Sequence, residues 1–595
     1  MEVNCGTINE THIGREFVLQ GWCRYKRDHG GKLFIDIADR YGLTQLVFEG
    51  ETLKKAEGVG KEYVIKVSGK VKKRDEDTVD RTNPTGKVEL YVTAIEILNK
   101  SEVPPFEIIE EKRKFLANEE VRFKYRYLDL RRREMIRKVE FRDRVSKSAR
   151  KFFWDEGFLE LETPTLVKDT YETGSKTFLV PSRTNKGKFY ALDQSPQIYK
   201  QLIMIGGLDK YFQMAKCYRD EDPREDRQPE HTQIDVEISF RDERQLQDTI
   251  EGMIKRVFKE VLGKELKVPF RRMKYADAIA EYGSDKPDLR FGSRIVDITE
   301  TAKKSNYNIL KRVISSNGHV KAIAFDADFG KKGSPIDKNY MLKMIETAKY
   351  LGLGGLTWLY VSGNRITSEP GSIAESLGTD VCREIMKKLD ASEGNVIIIC
   401  SDTTESLLLD AMGKLRKEIG RRIGKFGAEF EMLWVEDFPL FEKDEVTGKL
   451  KPAHNPFSAP TISTARLLDS APEKVVSRQY DLVINGTEMG SGSMRINDPE
   501  MQIKVLKMIG MTDASIERAF GFLIDALRHG APPECGIGFG LDRFLTVLYG
   551  EEDIKEFILF PKNKKYESPV DGSPTEIDKK RLKDDFDMRI EKGAT

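Results

Sequence analysis

Cys217-Tyr218-Arg219-Asp220-Glu221-Asp222-Pro223-Arg224-Glu225-Asp226-Arg227-Gln228-Pro229-Glu230-His231-Thr232-Gln233-Ile234-Asp235 is the densest polar stretch of the chain. Such a charge run on its own is a solvated face. Here, however, strand-like runs flank it on both sides: Lys210-Tyr211-Phe212-Gln213-Met214-Ala215 before it and Thr232 to Phe240 after it. That context predicts a hairpin joining two core strands of a sheet. Arg219 and Glu221 alternate, so they share a face. An arginine beside a carboxylate on a core strand can grip a phosphate while the acid accepts from a base or a metal.

Two later clusters have the same character. Asp481-Leu482-Val483-Ile484-Asn485-Gly486-Thr487-Glu488-Met489-Gly490-Ser491-Gly492-Ser493-Met494-Arg495 reads as a strand with Asp481, Val483, Asn485 and Thr487 on one face, followed by a glycine-rich bend. Carboxylates beside glycines that allow close approach fit a magnesium–phosphate site, and an ordinary Gly-rich hairpin fits the pattern as well. Gly536-Ile537-Gly538-Phe539-Gly540-Leu541-Asp542-Arg543-Phe544 carries fragments of a dinucleotide fingerprint but lacks the βαβ context. A strand of small residues there would let a flat ring lie against the backbone, with an arginine over a triphosphate. No Walker A motif is present, since Gly58-Val59-Gly60-Lys61 lacks the spacing and the following Ser or Thr.

Around these clusters the chain divides by texture. Five short runs between Phe17 and Leu98 are rich in β-branched and aromatic residues and are separated by Gly and charged turns. They suggest a small closed barrel of the OB type, with any small β-sandwich as the alternative. Val103-Pro104-Pro105-Phe106 breaks regular structure. Arg131 to about Gly157 reads as a long helix, and Phe158 to Pro164 as a strand. The expected order is a barrel (1–104), a hinge (105–135), the first part of a catalytic domain (136–295), an inserted α/β domain (296–425), the rest of the catalytic domain (426–560) and a C-terminal extension (561–595). The fold class is therefore multidomain α+β.

At 595 residues a single domain is excluded. The 99 Lys+Arg nearly cancel the 98 Asp+Glu, which excludes a globally basic nucleic-acid coat or an acidic tail protein but leaves room for a local basic groove. Six scattered cysteines without a CxxC pair read as reduced thiols, neither a disulfide framework nor a zinc site. Val396-Ile397-Ile398-Ile399-Cys400 is far short of a membrane span, and the N-terminus has no signal or transit character. A soluble cytoplasmic protein, with no membrane and no DNA among its partners, is the expectation.

In this order, the clusters resemble the three signature motifs of class II aminoacyl-tRNA synthetases, and in detail the bacterial aspartyl type. The long helix and the strand ending at Pro164 match the first motif, which in the family forms a homodimer interface. Tyr218 to Asp235 match the second and Gly538 to Arg543 the third. Two further blocks agree, Gln194-Ser195-Pro196-Gln197-Ile198-Tyr199-Lys200 and His454-Asn455-Pro456-Phe457. The inserted segment is itself a mark of the bacterial type. The resemblance implies an N-terminal OB-fold, an antiparallel catalytic sheet, and a reaction in which ATP activates L-aspartate before transfer to the 3′ end of tRNA-Asp. It implies that Arg219 grips the α-phosphate and the aspartate carboxylate, Glu221 holds the adenine side, and Arg543 lies along the triphosphate. Asp220, Gln228, His231, Gly540, Leu541 and Asp542 would complete the ATP site. Asp481 and Glu488 would coordinate Mg2+, Glu488 also facing the nucleotide. Aspartate would meet Lys200 and Arg495 with its side-chain carboxylate, Gln197 and Asp235 with its α-amino side, and Glu172 and His454 as closing contacts.

For the barrel, the resemblance implies anticodon reading by Arg27, His29, Phe34, Gln45 and Glu96, and the basic residues Arg24, Lys26 and Arg27 beside Phe34 are expected to supply phosphate contacts. Phe34 suits base stacking because Leu33 and Ile35 can fill the core instead. His231 departs from the Phe that many relatives carry, Asn455 from a second His, and Ser491 interrupts a glycine run. His29 resembles the form in some non-discriminating members, which charge tRNA-Asn as well, and both tRNA readings stay open at this stage. Asparaginyl and lysyl relatives share the architecture, but the Lys200/Arg495 pair and the insertion argue against them. The barrel argues against a tRNA-independent amide synthetase, and retention of Arg219, Glu221, Glu488 and Arg543 argues against an inactive tRNA-binding paralogue.

Overall fold

The β-rich runs near the N-terminus form β1 (Glu16–His29), β2 (Lys32–Ala38), β3 (Leu43–Phe48), β4 (Val64–Lys73) and β5 (Val88–Asn99), which close in the order β1-β2-β3-β5-β4. Closure of five short strands in this order is the OB arrangement, and it removes the sheet edges. Leu19, Ile35, Leu46, Ile65, Val67 and Leu90 fill the interior. A short helix, α1 (Gly50–Ala56), which the periodicity did not predict, lies between β3 and β4. The computed structural model describes residues 2–108, 116–170, 176–221, 227–368, 372–444 and 447–590.

The chain separates into two units. One comprises Met1–Arg144, Pro223–Gln228 and Asp553–Asp578, the other Val145–Asp222, Pro229–Glu552 and Lys579–Thr595. In the first unit the segment after the barrel is tied to the residues near 556 by buried charge. Arg126 pairs with Asp129 at 2.5 Å and donates to the carbonyls of Lys555, Ile558 and Leu559. The long helix α2 (Arg133–Asp155) contributes residues to both units and closes at Gly157, whose φ of +78° only glycine adopts readily.

The second unit is built on an eight-stranded sheet. Its strands are β6 (Leu159–Glu160), β7 (Lys210–Tyr218), β8 (Glu230–Ser239), β9 (Arg271–Lys274), β10 (Met432–Glu436), β11 (Gln479–Ile484), β12 (Thr487–Met494) and β13 (Glu534–Gly540). Their order is β9-β10-β11-β12-β13-β8-β7-β6. All neighbours from β10 to β7 are antiparallel, and only the outermost pairs are parallel. The strand expected over Phe158–Pro164 shrinks to Leu159–Glu160, because β6 finds partners only at Tyr211 and Phe212. Phe153 stacks on Phe212 beside it, ring centroids 4.9 Å apart, which docks the end of α2 on the sheet.

Between β9 and β10 lies a separate five-stranded antiparallel sheet, in the order Val296–Asp297, His319–Asp326, Asn395–Asp402, Thr357–Ser362, Arg365–Thr367. Side chains on its two faces enter two different cores, Val396, Ile398 and Cys400 on one and Ile397 and Ile399 on the other. A sheet covered on both faces explains why Val396–Cys400 reads as an unbroken apolar run. No helix among the described residues is long and apolar enough to cross a membrane.

Candidate active site

The hairpin anticipated around residue 225 exists: β7 and β8 pair antiparallel, with Cys217 opposite His231 and Gln213 opposite Asp235. Beyond β8 the register continues across the sheet. Asp235 faces Gly538 on β13, Gly538 faces Ser491 on β12, and Ser491 faces Asp481 on β11. One row further, Tyr211, Glu237, Gly536, Ser493 and Gln479 line up in the same way. Residues in such a row share a face, so polar groups far apart in sequence gather on one surface of the sheet. The glycines make room for them. A Cβ on Gly536 would meet Glu237 Oε2 at 1.7 Å, so the carboxylate lies directly over this glycine.

The bend expected at Gly490–Gly492 lies elsewhere. The turn is Asn485-Gly486, both at positive φ (+52° and +74°), and Gly490 to Ser493 continue as β12. Asn and Gly tolerate that conformation, while a strand can carry glycines wherever another backbone comes close. At Gly492 the close neighbour is the Gly536 carbonyl, 2.2 Å from an added Cβ.

Helix α3 (Gln197–Ile205) brings Lys200 to this surface. Its ammonium is 3.1 Å from Asp235 Oδ1 and 3.2 Å from Glu237 Oε2. Arg495 donates to both Glu237 oxygens (2.8 and 3.2 Å) and to Ser493 Oγ (2.8 Å). All four charged side chains are buried. Burial would raise Glu237, but Arg495 and Lys200 reverse this and hold its pKa below the ordinary value. Burial wins at Asp235, whose pKa is raised against the pull of Lys200. Its Oδ2 is buried without a hydrogen-bond partner, as is Gln197 Nε2. A carboxylate oxygen and an amide that lack partners beside two buried cations suit a ligand carrying both an ammonium and a carboxylate. Glu237, the hub of this cluster, was not among the sequence candidates. The signal was its place two residues after Asp235 on an alternating strand, but nothing local shows that Lys200 and Arg495 converge on it.

Arg219 follows the end of β7, and its backbone N–H donates to the Pro229 carbonyl at 2.9 Å. Its guanidinium is half-buried, with Nε lacking a partner and Nη1 4.0 Å from Glu221. His231 stands near Arg219, Arg543 and Lys216, and burial together with these cations pushes its pKa down to about 3. The imidazole is therefore neutral, a state that can stack on a ring. Asp220 is exposed and bridges to Lys176 through the backbone. Leu541 lies in the core, and the Asp542 carboxylate accepts from the Thr232 backbone N–H at 2.7 Å, fastening helix α5 (Leu541–Tyr549) to β8. Gly540 immediately precedes that helix. Gln228 belongs to the first unit, where its amide exchanges hydrogen bonds with the Lys562 backbone (2.8 and 3.2 Å). Glu172 and the tip of the second motif, 222–226, lie outside the described residues.

Asp481 and Glu488 lie on paired strands on either side of a bulge between Leu482 and Val483. Burial and the neighbouring Glu488 raise the pKa of Asp481 to about 6, and its Oδ2 has no hydrogen-bond partner. Glu488 is held ionised, because Lys286 (2.8 Å) and Arg543 outweigh its burial. Arg543 also donates to the Glu488 carbonyl at 2.9 Å. Two carboxylates, one with a buried oxygen lacking a partner, are a donor set that fits a hard cation such as Mg2+. His454 packs edge-on against Phe438 (4.9 Å) and is felt electrostatically by both carboxylates, so the structure gathers it with this pair.

On the barrel, Leu33 and Ile35 are in the core and Phe34 is not. The Phe34 ring meets His29 edge-on at 5.8 Å. Arg27 donates to Asp36 (3.0 Å) and Gln45 (3.1 Å), and Gln45 donates to Glu89 (2.8 Å). The acids gathered with this group are thus Asp36 and Glu89. Glu96 lies further along β5, exposed and opposite Lys66. Arg24 and Lys26 are not phosphate contacts. Arg24 is buried against Glu62 at 2.6 Å, and Lys26 donates to the carbonyls of Ala56, Glu57 and Val59 at and just after the end of α1.

Comparisons with known proteins agree with this arrangement. The family model for tRNA synthetases class II (D, K and N) matches residues 118–564, and that for the OB-fold nucleic acid binding domain matches 17–98. The chain is 40% identical over 585 residues to an aspartate–tRNA(Asp/Asn) ligase of Caldanaerobacter subterraneus subsp. tengcongensis, covering 98% of this chain and 97% of the relative. It is 41% identical to an aspartate–tRNA ligase of Macrococcus caseolyticus with the same coverage. Among solved structures, asparaginyl-tRNA synthetase of Entamoeba histolytica with asparaginyl-adenylate superposes with a TM-score of 0.57 at 18% identity, covering 95% of this chain and 98% of that one. At that identity the likeness is one of fold.

Proposed function

This chain belongs to the class II tRNA synthetases of the D, K and N group, and from that premise we propose that it is an aspartate–tRNA ligase. It activates L-aspartate with ATP to aspartyl-adenylate and transfers the aspartyl group to the 3′ end of tRNA-Asp, and of tRNA-Asn as well. The observation that carries the reading of the amino acid is the buried Lys200–Asp235–Glu237–Arg495 cluster. Lys200 and Arg495 take the side-chain carboxylate, and the partnerless oxygen of Asp235 accepts from the α-ammonium. Asparagine would offer those donors one amide oxygen and turn its N–H groups toward the other, leaving that donor unpaired in a dry pocket.

In the first step an α-carboxylate oxygen of aspartate attacks the α-phosphorus of ATP, and the bond to pyrophosphate breaks. Arg219 bridges the carboxylate and the α-phosphate, so its work is to align the two and offset the charge. The neutral His231 ring stacks on the adenine, Glu221 holds the edge of the base, and Arg543 lies along the triphosphate. Asp481 and Glu488 would hold Mg2+, which when bound screens the phosphate charge. In the second step the terminal ribose hydroxyl of the tRNA attacks the activated carbonyl and AMP leaves.

The barrel binds the anticodon. Phe34 stacks on a base, and Arg27, Gln45 and Glu89 present donors and acceptors to base edges. His29 touches the Phe34 ring, where it bears on the choice between the two tRNAs. Trp154, Leu159, Leu166, Leu179, Phe189 and Tyr190 are exposed apolar side chains in and after the first motif. Their number supports a homodimer through that motif, which sedimentation of the purified protein checks. A cytoplasmic enzyme of translation is the reading these parts make together.

ATP–pyrophosphate exchange without tRNA, comparing aspartate, asparagine, glutamate and lysine, tests the proposal. Exchange with aspartate alone is expected, and exchange with asparagine or lysine instead would sink it. Charging assays with tRNA-Asp and tRNA-Asn then test the dual specificity.

A further inference from the structure

Lys286 is the nearest cation to the carboxylate pair of β11 and β12, and its sequence gave no hint of that role. Its ammonium is 2.8 Å from Glu488 and 3.7 Å from Asp285. The loop that carries it is built at both ends. Gly283 ends the helix Tyr275–Tyr282 at φ +62°, and a Cβ there would lie 2.1 Å from the Leu409 carbonyl. The neighbour is helix α4 (Glu405–Ile423) of the inserted segment, and its Gly413 answers with an equally close approach to the Gly283 carbonyl. Arg416 of α4, itself buried, donates to the carbonyls of Asp288 (2.8 Å) and Ser293. The Asp288 carboxylate is gripped by Arg290 at 2.9 and 2.7 Å, and Gly486, in the turn leading to Glu488, packs against its Cβ. The inserted helix thus clamps one side of the loop and the β11–β12 turn the other.

Between these anchors the Lys286 side chain remains 37% exposed, on a flexible four-carbon stem. A surface ion pair of this length is worth little by itself. The setting matters more. A divalent cation and an ammonium cannot share the oxygens of Glu488 without strong repulsion. With Glu488 taken, the anions left to Lys286 are Asp285, at 3.7 Å, and the triphosphate that Arg543, bonded to Glu488, would accompany.

We propose that Lys286 is a further contact to the nucleotide polyphosphate: it neutralises Glu488 when no nucleotide is bound and passes to the phosphates when a divalent cation takes that carboxylate. This rests on the ligase reading above. It gives the inserted segment a task, which is to hold the loop that delivers this lysine.

The test uses the full-length protein with Lys286→Met and Lys286→Arg. Mn2+ binding without nucleotide, followed by electron paramagnetic resonance, should tighten several-fold in Lys286→Met, because the competing ammonium is gone. ATP affinity, by calorimetry and as the KM for ATP in exchange, should weaken about tenfold or more in Lys286→Met, the loss of one charge-assisted contact. The KM for aspartate should not move, and Lys286→Arg should recover part of the ATP affinity. Unchanged ATP affinity in Lys286→Met, or Mn2+ affinity that stays level or falls, overturns the proposal. If the unaltered protein exchanges with no amino acid, the ligase reading fails, and the Mn2+ and ATP titrations still judge Lys286.

Discussion

Lys200 and Arg495 leave 1% and 3% of their side chains exposed, whereas Arg27 on the barrel leaves 44%. The amino-acid cluster of the catalytic sheet and the Arg27 row of the barrel therefore present their cations differently. In the sheet, Lys200, Arg495, Asp235 and Glu237 are packed against one another, and each depends on the others for solvation. On the barrel, Arg27, Gln45 and Glu89 form a hydrogen-bonded row beside a partly exposed ring. Water can replace a missing partner at the exposed Arg27 guanidinium but not around Lys200 or Arg495. Removing one member of a buried pair strands the other, and removing a rim residue subtracts only its own contact.

Arg495→Leu should have the largest effect. Glu237 would lose its bidentate partner, and aspartate activation should weaken by ~3–5 kcal/mol in kcat/KM, read by ATP–pyrophosphate exchange. Normal activation in that variant would erase the contrast between the two regions. Phe34→Ala should cost about 1–3 kcal/mol in tRNA binding and lower charging, while exchange without tRNA stays intact. Loss of both activities would mean that the barrel is not a separate recognition surface.

Two smaller effects sharpen the comparison within the sheet. Burial, the first cause, raises Asp193 to a pKa of about 7, with Asp235 adding to it. A carboxyl whose folded pKa is raised contributes its stability below the unfolded pKa near 4 and loses it as pH rises through about 7. Asp193→Asn should therefore melt above the parent protein at pH 8, with the gap closing toward pH 5, as thermal denaturation would read. His231→Phe replaces a neutral ring by a larger apolar one, and a KM for ATP lowered by a small factor is expected.

The contrast also governs what could be read from residue order. The five barrel strands, the long helix, the hairpin around residue 225 and the strand running into Leu541-Asp542-Arg543 follow from period-two alternation, apolar faces and turn residues. Lys200 and Arg495 were legible because each stands in a motif block of fixed spacing. Glu237, Lys286 and Glu89 were not. Each acquires its place from a partner far along the chain: Glu237 from Arg495, Lys286 from Glu488, Glu89 from Gln45. Arg24 and Lys26 failed in the opposite direction. A basic run near an aromatic residue looks like a phosphate patch until Glu62 and the carbonyls ending α1 are seen to occupy both side chains.

By itself the sequence determined the kinds of element, their order, and the chemistry available in each motif, because those depend on interactions within a few residues. The tertiary structure decided which charges are buried together and which face water. Strand register sets that, bringing Asp235, Gly538, Ser491 and Asp481 into one row across four strands. The worth of an ion pair depends on its dielectric surroundings, and those exist only once the sheet has closed over it.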